Sequence, residues 1–82
     1  MELTVNVKLG GMPTARRVAK AAEKMAGYQA TVLLRKGDIT VNAKSLLGLL
    51  SLQLQEGEGV TIIARGEDEA QAVCAMAELM GA

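Results

Sequence analysis

"ATVLLRKGDITVNAKSLLGLLSLQLQ", Ala30 to Gln55, carries two structural signals back to back. Two runs of β-favouring residues flank Gly37-Asp38, the pattern of a hairpin closed by a tight glycine turn. In the second run Ile39, Val41 and Ala43 share a face. The spacing then changes. Ser45 is a natural N-cap, and Leu46, Leu47, Leu49, Leu50 and Leu52 follow in a short helix that "EGEG", Glu56 to Gly59, should break. Those leucines surround the helix on nearly every side. Only one face can enter a core, so some should stay exposed, and a small exposed apolar patch marks a contact surface.

Upstream, Leu3, Val5, Val7 and Leu9 alternate with Glu2, Thr4, Asn6 and Lys8, which gives a strand with one wet and one dry face. "GGMPTARRVAK", Gly10 to Lys20, then reads as a loop running into a helix. Pro13 stiffens the approach, Thr14 can cap, and Arg16 and Arg17 put positive charge in the first turn. Val18, Ala22 and Met25 fall at helical spacing, and Gly27 is a C-terminal stop. Downstream, Val60, Ile62 and Ala64 form the dry face of a fourth strand. "RGEDEA" places acidic residues at a helix start, where the dipole favours them. Ala70, Val73, Cys74, Ala77 and Met80 trace one apolar stripe, with Cys74 inside it.

The order is βαββαβα. Strands that alternate are covered on one face only, so the expected fold is α+β: a four-stranded, mainly antiparallel sheet with three helices on one side. The 82 residues allow one domain, 1–82, and one core. With Tyr28 as the sole aromatic, that core must be aliphatic. Val5, Val7, Val18, Ala22, Val41, Ile62, Val73 and Ala77 are the residues expected in it.

Composition removes several function classes. Nine basic and nine acidic residues cancel, which argues against direct nucleic-acid binding. The chain has no histidine and one cysteine, so the usual zinc sites and His-based acid–base or triad chemistry are not expected, nor is an internal disulfide. No general base or nucleophile pair is visible, and no cofactor is implied. The N-terminal run lacks the charge and apolar pattern of a signal peptide, and no apolar run would span a bilayer. A cytoplasmic protein without membrane association is expected.

The chain resembles the HPr family, the small phosphocarriers of the bacterial phosphoenolpyruvate-dependent sugar phosphotransferase system. "AKSLLGLLSL", Ala43 to Leu52, is similar to the family's serine-centred segment at the start of its second helix. "GEGVTIIARGEDEAQAV", Gly57 to Val73, is similar to its last strand and the start of its third helix. The resemblance implies an HPr-like open-faced sandwich. The family's other signature is Gly-Leu-His-Ala-Arg-Pro, whose histidine carries the phosphoryl group. Anchored on "ARRVAK", Ala15 and Arg16 match its Ala-Arg, Thr14 falls on the histidine, and Arg17 replaces the proline. Met12 and Pro13 replace its Gly-Leu.

This departure has direct chemical meaning. Imidazole is a neutral nucleophile near pH 7, whereas a threonine hydroxyl needs an activating base. Catabolite-repression HPr-like proteins also lack the carrier histidine. The resemblance therefore implies a non-catalytic regulatory protein acting through protein contacts. Its implied partners are an HPr-type kinase and a transcriptional regulator. Ser45 matches the serine that such a kinase phosphorylates, and is also readable as a plain N-cap. Thr14 is either a cap or a residual acceptor. Arg16 and Arg17 are an anion site or a partner-docking element, and Leu46, Leu47 and Leu50 are the contact surface. Two rivals stand beside this reading: a phosphocarrier with a different acceptor, and an anion- or protein-binding module outside sugar transport.

Overall fold

The computed structural model describes residues 1–11 and 13–81. Met12, aligned within the family motif, lies outside the described residues. The elements are β1 (Glu2–Asn6), α1 (Thr14–Ala26), β2 (Thr31–Lys36), β3 (Ile39–Asn42), α2 (Leu46–Ser51), β4 (Gly59–Arg65) and α3 (Glu69–Leu79). The strands form one sheet in the order β1-β4-β2-β3, every neighbouring pair antiparallel. This is the expected βαββαβα open-faced sandwich.

Alternation in the strands sorts the sheet into two faces. Val5, Val32, Leu34, Val60, Ile62 and Ala64 are buried toward the helices. Leu33 and Ile63, paired across β2 and β4, lie half-buried on the open face, where Thr4 and Thr61 share a 3.0 Å hydroxyl hydrogen bond. Helices close the other side with Val18, Ala21, Ala22 and Met25 of α1, Leu49 of α2, and Ala72, Val73, Met76 and Ala77 of α3. Together with the strand residues they make one core cluster. Complete burial of a side chain such as Ile62 contributes about 1.5–3 kcal/mol.

Some expectations fail at the margins. Val41 is half-buried because β3 is an edge strand beneath a very short helix; Ile39, on the same face, is exposed. Leu3, on the opposite edge strand, is also exposed. The α3 stripe is displaced: Ala72 and Met76 are buried, whereas Ala70 and Cys74 face solvent. Almost every residue from Ala70 to Ala77 is apolar, so periodicity carries little information about which face turns inward. The thiol of Cys74 is therefore a surface group, not a core one. Helix α2 stops before "EGEG", at Leu52, where Gln53 takes a left-handed φ of 51°.

Asp68 joins the start of α3 to the strand beside it. Its carboxylate accepts from the Gln29 and Ala30 amides at 2.9 and 2.8 Å. Those two bonds, Gln29 first, hold its carboxyl below the usual aspartate range.

Candidate functional site

Helices α1 and α2 pack together, with Thr14 at the start of α1 bonded to Leu54 beyond α2, and Lys44 before α2 bonded to Tyr28 beyond α1. Their starts are built differently. At α1, Pro13 takes the N-cap position with φ −55° and ψ 136°, extended backbone that a proline adopts without strain. Thr14 is consequently the first helical residue, one position too late to cap. Its hydroxyl turns away and donates to the Leu54 carbonyl over a long 3.4 Å. The expected Thr14 cap is thus corrected: Pro13 is the cap residue, and no side chain caps this helix.

Arg16 and Arg17 also separate. Arg16 is exposed, and among the described residues its side chain has no hydrogen-bond or ion-pair partner. Arg17 is half-buried, and its guanidinium donates to the carbonyls of Lys8 at 3.3 Å, Leu9 at 2.9 Å and Leu79 at 2.6 Å. Nearby, the Lys8 amide donates to Met80 at 2.8 Å. Gly81, with φ 93°, lies so close that an added Cβ would overlap the Lys8 carbonyl oxygen. A side chain there would push the end of α3 away.

At α2, Ser45 is a true N-cap. Its backbone is extended, with φ −101° and ψ 114°, and its hydroxyl accepts from the Gly48 amide at 3.1 Å. Asn42 prepares this turn: its side-chain oxygen accepts from the Lys44 amide and its carbonyl from the Ser45 amide. Gly48 lets the helix approach β3, since a Cβ there would meet Val41 at 3.3 Å. The other end of α2 is held by Lys36, whose ammonium donates to the Leu52 and Gln53 carbonyls and pairs with Glu58 at 3.0 Å. That hydrogen bond to Lys36 lowers the Glu58 carboxyl below the usual glutamate range. Sequence reading missed this support, because no local pattern links Lys36 to the helix end it holds.

The leucines divide as expected. Leu49 and Leu52 are buried, whereas Leu46 is 42% exposed, Leu47 80% and Leu50 39%. Ser45 is half-buried at the edge of this patch. The start of α2 thus carries a half-buried serine beside apolar side chains in solvent, and the adjoining helix α1 carries the exposed Arg16. Among the described residues no three His, Cys, Asp or Glu side chains are grouped to hold a metal, and no helix is long and apolar enough to cross a membrane.

The family model for the HPr component of the phosphotransferase system, described as its phosphorylation site, matches residues 1–82. The chain belongs to the HPr family. HPr-like protein Crh of Bacillus subtilis is 41% identical over 69 residues, covering 84% of this chain and 81% of that one. Phosphocarrier protein HPr of Xylella fastidiosa is 38% identical over 78 residues, covering 95% of this chain and 85% of its own. The crystal structure of an HPr phosphocarrier from Bacillus anthracis superposes with a TM-score of 0.90 at 32% identity, covering 96% of this chain and 94% of that one. This is an HPr- and Crh-like member of the phosphocarrier family of the phosphotransferase system.

Proposed function

We propose that this chain is a regulatory, non-catalytic HPr-like protein of the cytoplasm that acts by docking to other proteins and does not relay phosphate. One observation carries the reading: the chain has no histidine, and Thr14 aligns with the family's phosphohistidine. The neighbour of the Thr14 hydroxyl supports it, since a carbonyl oxygen cannot take the proton that a threonine nucleophile must lose. A phosphothreonine would also be a poor donor to the next acceptor.

Ser45 is the proposed regulatory site, and Leu46, Leu47 and Leu50 with Arg16 the docking face. An HPr-type kinase would move the γ-phosphoryl group of ATP onto the Ser45 oxygen and release ADP. The product adds roughly 1.5–2 negative charges beside an apolar patch. It would strengthen contacts with an arginine-bearing partner and weaken purely apolar ones. The fold should hold, because the modified oxygen sits beside the amide it already accepts from. Incubation with such a kinase and ATP, followed by mass spectrometry of wild type and Ser45→Ala, tests the assignment. One phosphate on wild type and none on the variant is expected. Modification elsewhere, or none, would return Ser45 to a plain cap.

A further inference from the structure

We infer that Arg17 is a positioning residue, a strap that fastens the start of α1 to the end of β1 and the end of α3, and so presets the face on which Arg16 is displayed. The inference rests on the docking reading above for what the face is for. The strap itself rests on geometry.

Side chains on a helix lean toward its N-terminus, so a guanidinium in the first turn of α1 reaches back over the preceding loop. There it meets Lys8 and Leu9 carbonyls that follow β1, and the carbonyl of Leu79, the last residue of α3. The final carbonyls of a helix lack intrahelical partners and carry the negative end of its dipole. Helix α3 has no basic residue in its own last turn. Arg17 supplies that charge from another helix. A planar fork with five N–H donors can serve three oxygens together, and a lysine ammonium on a flexible stem is not shaped for it.

Two further features show the same junction. Lys8 bonds the Met80 carbonyl through its amide, and Gly81 permits a backbone approach that no side chain would. The family motif that this segment resembles carries proline at the position of Arg17, and proline has no side-chain donor. The long Thr14 contact to Leu54 ties the same turn to the segment after α2. Two of the departures from the motif, Thr14 and Arg17, thus place a side chain on main-chain oxygens of neighbouring segments. Their joint effect is a first turn anchored on two sides, with Arg16 between the anchors pointing outward.

Amide hydrogen exchange on the free, unmodified chain tests the strap, so its outcome is separate from whether Ser45 is ever phosphorylated. In Arg17→Ala the amides of Lys8, Met80 and Gly81 should exchange roughly tenfold faster or more, as expected for loss of charge-assisted bonds in a local opening. The amide of residue 17, bonded to Pro13, should accelerate with them. Amides in the β2–β3 hairpin should keep their wild-type rates. Arg17→Lys should fail to restore protection, and it decides the matter should Arg17→Ala not fold. Wild-type exchange at the junction, or full rescue by lysine, would overturn the three-carbonyl strap. Acceleration at Met80 and Gly81 without any at residue 17 would overturn the positioning role.

Discussion

Thr14 and Ser45 are both hydroxyl-bearing residues at helix starts, and each is readable from sequence as a cap. In the fold Ser45 caps α2 and Thr14 does not cap α1. The difference comes from one neighbour. Pro13, with its ψ of 136°, occupies the extended position before the helix, which leaves Thr14 in the first turn. At α2 Ser45 itself occupies that position. A hydroxyl's role is therefore set by the backbone of the residue beside it as much as by its own chemistry. The same contrast separates the two functional candidates. One hydroxyl accepts from an amide at the half-buried start of α2. The other donates to a carbonyl, the one hydrogen-bond partner it has among the described residues.

The comparison can be broken first at α2, whose proposed docking role depends on its being firmly seated. Leu49 anchors it with a fully buried side chain, whereas Leu47 is mostly in solvent. Leu49→Ala should cost about 2–5 kcal/mol in urea unfolding. Leu47→Ala should change stability by no more than about 0.5 kcal/mol. Similar losses at both positions would mean that the helix packs in another rotation, and the exposed patch would disappear with it.

A smaller effect separates the two hydroxyls directly. Removing a working cap, by Ser45→Ala, should cost about 0.5–2 kcal/mol. Thr14→Val keeps the shape and removes only a long hydrogen bond, so its loss should stay within about 0.5 kcal/mol. Equal costs in thermal or urea unfolding would remove the distinction between the two helix starts.

How far these assignments could be read in advance follows from the same residues. Strand β4 was legible because Val60, Ile62 and Ala64 alternate with Thr61, Ile63 and Arg65, and burial follows that alternation. The hairpin and α2 were legible through Gly37-Asp38 and Ser45. Helix α3 was legible as a helix but not in its rotation, since Ala70, Cys74, Ala72 and Met76 are all apolar and only packing chooses among them. At the candidate site, the exposure of Leu46, Leu47 and Leu50 followed from there being more leucines than one buried face can take. The separation of Arg16 from Arg17 did not. It depends on carbonyls of Lys8, Leu9 and Leu79, and the last of these is far away in the chain. Main-chain oxygens leave no trace in a sequence pattern.

The central proposal is that the α1 start, with Thr14 in place of the family's histidine, does not carry a phosphoryl group. It is tested most directly by incubating the protein with the first enzyme of the phosphotransferase system and labelled phosphoenolpyruvate, with a histidine-bearing HPr as the positive control. The control should take up acid-labile label and pass it on, while this chain stays unlabelled. Acid-labile label on this protein that can be transferred onward would contradict the account.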